Sequence, residues 1–305
     1  MTNREMMWIA FAGIITVMFI LDLFVFNRKS HEIRFREALA WTAVWVALAM
    51  AFNVGVWYVM GSAKALEFLT GYIIEESLSV DNLFVFIMIF SYFKVARAHQ
   101  PKILKWGIIG ALVMRGIFIV VGIELIERFH WMVYVFGVVL IYTGFKMAFG
   151  GDEEVHPEHN PLVRLVRRFI PITKRSFGDR FFIKRCGIWA ATPLFLTLVV
   201  VESSDVIFAV DSIPAVLAVT HDPFIVYSSN VFAIMGLRSL YYLLAHVMEM
   251  FAHLKIGVSV ILAFVGGKML LSNLVEIPLL LSLGVIIGSL TISILTSVVL
   301  GKRHR

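Results

Sequence analysis

The chain has 305 residues, 60% of them hydrophobic and only 16% charged, with a mean hydropathy of +0.87; soluble domains average about 45–50% apolar and about 25% charged residues, so lipid is the expected solvent. The net charge of +6 sits in short basic segments between apolar runs, where it serves as a topology signal and not as a nucleic-acid surface. The single cysteine, Cys186, excludes an internal disulfide or a cysteine-based metal cluster within one chain.

A hydrocarbon core of about 30 Å needs about 20 apolar residues per helix. On that length the sequence predicts an all-α, polytopic membrane protein with about nine transmembrane helices, over 6–26, 38–60, 66–93, 104–125, 130–149, 188–217, 222–244, 256–273 and 277–300. The first run is too long for a signal-peptide core and has no small-residue cleavage site before Arg28-Lys29, so a retained helix is expected. Of the 27 Lys and Arg, twenty fall on one side of these spans: Arg28, Lys29, Arg34, Arg36, Lys94, Arg97, Lys102, Lys105, eight between Arg164 and Arg185, Lys255, Lys302, Arg303 and Arg305. Arg4, Lys64 and Arg128 fall on the other. The positive-inside rule then places the N-terminus outside and the C-terminus in the cytoplasm, in the cell inner (plasma) membrane.

The third span carries Glu75, Glu76, Asp81 and Asn82; the fourth carries Arg115 and the fifth Lys146. A loop over 150–187 follows. Its 151–159 part mixes carboxylates with His156 and His159, but nothing fixes a ligand geometry, so it reads as a solvated acidic linker. Beyond it, Leu162, Leu165, Val166 and Phe169 recur at helical spacing opposite Arg164, Arg167 and Arg168. That pattern suits a helix lying on an anionic leaflet, so anionic lipids are the expected partner of the basic loop 162–185. The sixth span carries Glu202, Asp205, Asp211 and Ser212, the seventh Arg238 and the eighth Lys268.

The order of these residues repeats. Glu75 to Asn82 aligns with Asp205 to Ser212, Met114-Arg115 with Leu237-Arg238, and Gly144-Phe-Lys146-Met147 with Gly266-Gly-Lys268-Met269, at offsets of 130, 123 and 122 residues. A three-helix unit has odd parity, so its second copy enters the membrane from the opposite face. The expected organisation is one transmembrane domain over 1–305 with a 3+3 inverted repeat: helices 3–5 (about 66–149) and helices 6–8 (about 188–273). Many secondary transporters place their substrate at the interface of such repeats.

A charge at the bilayer centre costs about 2.5–3.5 kcal/mol on insertion scales, which makes intramembrane Glu and Asp candidate functional groups. The spans hold at least six such acids (Glu75, Glu76, Asp81, Glu202, Asp205, Asp211) against four bases (Arg115, Lys146, Arg238, Lys268). Charge pairing or gating is the role expected of the bases, and the excess acid is left for a cation or a proton. On a continuous helix Glu75, Ser79 and Asn82 share a face, as do Glu202, Asp205 and Ser212, whereas Asp81 and Asp211 point elsewhere. Bringing those two into the same site requires helices broken nearby, for which Pro214 offers a reason in the second unit. Carboxylate, amide and hydroxyl oxygens are hard ligands suited to Mn, Mg or Ca.

The segments Phe68-Leu-Thr-Gly-Tyr-Ile-Ile-Glu-Glu-Ser-Leu-Ser-Val-Asp-Asn82, Val201-Glu-Ser-Ser-Asp-Val-Ile-Phe-Ala-Val-Asp-Ser-Ile-Pro-Ala215 and Thr220-His-Asp-Pro-Phe-Ile-Val226 resemble the TerC/Alx family of membrane proteins, close to its Alx branch. The resemblance runs from about residue 38 to 300. It implies a link with tellurium resistance, by name, and with manganese export and alkaline pH among Alx-like members. It puts an ion site on Glu75, Asp81 and Asn82 and on Asp205, Asp211 and Ser212. Glu76 departs from the family pattern, which often has Lys there.

The leading expectation is a secondary transporter that exports a divalent cation, Mn2+ first, by rocking two repeats and exchanging protons. No P-loop for ATP coupling and no nucleophile with a histidine base occurs in the spans, so neither an enzyme nor a resident cofactor is expected. The alternative is a membrane scaffold or assembly factor in metal or tellurite stress resistance that works through the cytosolic loop. Tellurite itself, an oxyanion, is repelled by an acidic cavity.

Overall fold

The computed structural model describes residues 3–20, 35–149, 161–173, 178–185, 188–247, 254–272 and 277–301. The acidic segment 151–159 with His156 and His159, Cys186, and the side chain of Asp81 lie outside the described residues. The helices are α1 (Asn3–Ile20), α2 (Phe35–Met60), α3 (Ser62–Tyr92), α4 (Gln100–Arg128), α5 (Met132–Phe149), α6 (Pro161–Phe169), α7 (Pro193–Leu217), α8 (Pro223–Val247), α9 (Leu254–Leu270) and α10 (Leu279–Gly301). Among the described residues a helix stands at every predicted span. Five stretches, Phe35–Met60, Arg97–Arg128, Met132–Phe149, Pro193–Leu217 and Leu279–Ser297, are long and apolar enough to cross a membrane on length and composition alone. The molecule is thus an all-α, multi-pass membrane protein, with one small hairpin among the described residues.

Local chemistry sets the helix boundaries. Between α2 and α3 the chain turns on Gly61 at φ 92, a left-handed conformation that costs glycine little because it has no Cβ. Asp222 caps α8: its Oδ1 accepts the Phe224 N–H at 3.0 Å, and Pro223 occupies the first helical position, where its missing N–H costs nothing. The sixth span begins later than expected. Residues 188–191 form strand β2 (Ile188–Ala191), antiparallel to β1 (Phe182–Arg185) with Phe182 opposite Ala191, and α7 starts only at Pro193. Thr192, held extended at φ −94 and ψ 166, precedes a proline whose ring disfavours the helical conformation in the residue before it.

The amphipathic segment after the acidic linker forms α6. Val163 is buried against α7, whereas Leu165 and Phe169 are 51% and 73% exposed and Arg168 is exposed as well. Lys102 of α4 reaches Asp179 at 3.0 Å and the Phe181 ring at 5.0 Å, which ties this loop to the helices. The ion pair and hydrogen bond from Lys102 hold the Asp179 carboxyl below the usual carboxylate range.

Neither α3 nor α7 is broken: each runs unbroken past its acids, and Pro214 lies inside α7. The expectation of an unwound segment therefore does not hold. α3 packs on α8, α4 on α7, and α5 on α9. Glycines bring the last pair together, since a Cβ on Gly144 would lie 2.8 Å from the Ser259 carbonyl oxygen and one on Gly266 would lie 2.6 Å from that of Gly137. Three apolar clusters fill the interior. One is aromatic, around Phe11, Phe52, Phe68, Phe224 and Phe232; one joins α4, α5, α7 and α9; the third joins α3, α4, α7 and α8.

Candidate cation site

Where α3, α4, α7 and α8 meet, a set of polar side chains is sealed away from solvent. Glu75 is 0% exposed, Arg115 1%, Ser212 1%, Asn230 1% and Asp205 6%. The seven-residue spacings Glu75 to Asn82 and Asp205 to Ser212 are two helical turns, which keeps each pair on one face of an unbroken helix. Arg115 joins the two faces. Its Nη1 donates to Glu75 Oε1 in a very close ion pair and to Ser212 Oγ at 3.1 Å, and its Nη2 donates to Asp205 Oδ1 at 3.4 Å. The other Glu75 oxygen accepts from Asn230 Nδ2 at 2.9 Å. Glu75 is thereby satisfied on both oxygens.

Asp205 is not. Its Oδ2 is buried without a hydrogen-bond partner, as are Asn230 Oδ1, Ser79 Oγ and Arg115 Nε. Such groups are rare and costly in a folded interior. Glu202, one turn before Asp205, opens with it onto a small cavity between α4 and α7, walled by Phe86, Leu104, Gly107 and Ile108. The Glu202 carboxylate lies so close to the α4 backbone that a Cβ on Gly110 would overlap it. With Glu75 neutralised by Arg115, the cavity retains two acids.

The other sequence-predicted residues lie apart from this cluster or add only one side to it. Asn82 is buried in α3 on the Glu75 face. Asp211 points away from Arg115, as the continuous α7 requires, and accepts from Thr143 Oγ1 of α5 at 2.9 Å with Lys146 close enough to act on it electrostatically. Arg238 is buried in α8 near Tyr242. Lys268 donates to Ser282 Oγ at 3.1 Å and so ties α9 to α10. Glu76 faces the other side of α3, where Tyr72 donates to it at 2.8 Å beside Trp45 and Gly236. Among the described residues no three His, Cys, Asp or Glu stand together as a metal-holding group; the oxygens on offer come from two acids, an amide and hydroxyls.

Asn230, Thr143 and Gly110 were not singled out from the sequence. Asn230 had a signal: the run Ser228-Ser229-Asn230 is polar inside an apolar helix, and all three are buried.

At the opposite end of α3 a second polar network joins α1, α3 and the α7–α8 connection. Arg4 and Lys64 pair with Asp222 at 3.0 and 3.6 Å, Lys64 also pairs with Glu67 at 2.7 Å, and Thr220 donates to Glu67. Beside it, partial desolvation holds the His221 imidazole below its ordinary range, against the opposing pull of Glu127 and Glu67.

Comparison with known proteins shows the family of the chain. Residues 60–305 match the model of the integral membrane protein TerC family. A Myxococcus xanthus protein named "Uncharacterized membrane protein STKORF319" is 48% identical over 298 residues, covering 98% of this chain and 93% of the relative. The Escherichia coli (strain K12) protein named "Putative membrane-bound redox modulator Alx" is 45% identical over 311 residues, covering 99% and 97%. A Rickettsia bellii protein named "Uncharacterized membrane protein" is 36% identical over 294 residues, covering 96% and 97%. No solved structure matches the chain significantly. The chain belongs to the TerC family of integral membrane proteins.

Proposed function

We propose that this protein is a secondary transporter that exports a divalent metal cation, Mn2+ first among the candidates, in exchange for protons. The observation that carries this reading is the Glu202–Asp205 cavity: a buried Asp205 and a half-buried Glu202 left over after Arg115 has neutralised Glu75, with Asp205 Oδ2 unpartnered. Two negative charges match one divalent ion, and carboxylate, amide and hydroxyl oxygens suit a hard cation. Buried carboxylates that lose the ion can take up protons, which makes proton exchange the natural coupling.

The packing supports an inverted repeat of α3–α5 and α7–α9 among nine membrane-crossing helices. Exchanging the two units turns the α3–α8 packing into the α7–α4 packing. At the offset of 122 residues, the close approach of Gly144 to Ser259 becomes that of Gly266 to Gly137. The distribution of Lys and Arg supports an outside N-terminus and a cytoplasmic C-terminus in the inner membrane. The exposed Leu165, Phe169 and Arg168 of α6 suit contact with anionic lipid on the cytoplasmic side. A redox role, as in the printed name of the Escherichia coli relative, has no dithiol to work with inside one chain, because Cys186 is the single cysteine.

Purified protein in proteoliposomes, with Mn2+, Mg2+ and Ca2+ offered separately under a pH gradient, tests the proposal. Mn2+ flux above that of empty liposomes, accompanied by proton counterflow, is expected. Absence of flux for all three ions would refute it.

A further inference from the structure

The guanidinium of Arg115 stands between the two carboxylates that the paired units contribute, inside a membrane-spanning bundle and 1% exposed. Its two arms are unequal. Nη1 pairs directly with Glu75 Oε1, whereas the Nη2 to Asp205 Oδ1 distance of 3.4 Å is long for a charge-assisted hydrogen bond, which normally falls near 2.7–2.9 Å. Nε has no partner, and Asp205 keeps one oxygen unpartnered. Asn230 holds Glu75 from the far side, so the Glu75–Arg115 pair is complete without Asp205.

We propose that Arg115 is a resident cation that competes with the transported one for Asp205. With no ion bound, the loose arm supplies Asp205 with a positive charge, which spares the empty carrier the cost of a bare carboxylate in a low-dielectric interior. An arriving divalent ion takes Asp205 through its unpartnered oxygen together with Glu202, and Arg115 draws back onto Glu75 without losing its counter-charge. The same positive charge, held a few ångströms from the ion, weakens its binding and favours release. By reciprocity, whatever the ion loses in affinity to Arg115, Arg115 loses in its hold on Asp205. This inference rests on the cation-transport reading.

Arg115→Gln alone leaves Glu75 buried and uncompensated, so the informative protein is the charge-balanced Glu75→Gln/Arg115→Gln double variant. Mn2+ affinity is measured by titration calorimetry on the full-length protein in detergent, and Mn2+ flux in proteoliposomes. The double variant is expected to bind Mn2+ at least about tenfold more tightly than the wild type and to transport it more slowly, as release becomes limiting. Arg115→Lys keeps Glu75 paired but lacks the fork that spans to Asp205, and it is expected to shift affinity in the same direction, which covers the case in which the double variant does not fold. A wild type that binds Mn2+ together with variants that bind it no more tightly would overturn the role of Arg115 and leave the transport reading standing. A wild type that binds and moves no divalent cation would overturn both.

Discussion

Replacing Gly110 with alanine should separate function from stability. The added methyl falls on the Glu202 carboxylate, so one of the two has to move. In an exposed helix the exchange of glycine for alanine gains about 0.5–1 kcal/mol. The colliding atoms here are the free end of a side chain, and swinging Glu202 into another conformation costs on the order of 0.5–1.5 kcal/mol. The two effects nearly cancel, and the melting temperature in detergent should stay close to that of the wild type. Ion handling should not: displacing one of the two acids from the cavity is expected to lower Mn2+ affinity by about 10–100-fold, the range typical of disturbing a metal ligand through its surroundings. Gly13→Ala and Gly288→Ala, where nothing lies within 4 Å of the new methyl, serve as controls with normal binding. A Gly110→Ala protein with wild-type affinity and flux would refute the placement of the ion beside Glu202.

The α5–α9 contact and the α7–α8 connection each yield a further outcome. Gly266→Ala drives a methyl against the Gly137 carbonyl, backbone that cannot step aside, and is expected to cost about 1–3 kcal/mol of overpacking; its neighbour Gly267→Ala, with open space around it, should melt no lower than the wild type. Equal melting temperatures for the two would contradict the close α5–α9 approach. His221 has a folded-state value below its unfolded one because burial disfavours its charged form. Its contribution is therefore complete above the ordinary histidine range and is lost as pH falls through the folded value. Acidification should thus lower the melting temperature of the wild type more than that of His221→Gln, and parallel curves would count against the desolvation of this imidazole.

Hydropathy alone made the helices legible, because about 20 apolar residues leave a chain few alternatives in lipid. Helical periodicity also made the shared faces of Glu75 with Asn82 and of Asp205 with Ser212 readable, and it set Asp211 apart from them; the unbroken α7 follows that geometry even at Pro214. Partners across helices were less accessible. That Arg115 chooses Glu75 over another acid, that Asn230 completes Glu75, and that Gly110 makes room for Glu202 depend on how α3, α4, α7 and α8 stack, and no spacing along one helix encodes that. The late start of α7 had a visible cause in Thr192-Pro193, which the strength of the apolar run from Ile188 onward outweighed.

Mn2+ flux through a Glu202→Gln/Asp205→Asn variant is the most direct test of the proposed transport site. Both changes remove a charge from the cavity lining while preserving shape, so the fold should be retained or made more stable. Flux at the level of empty liposomes, with a melting temperature at or above that of the wild type, is the expected result. Flux equal to that of the wild type would contradict a cation site on these two acids.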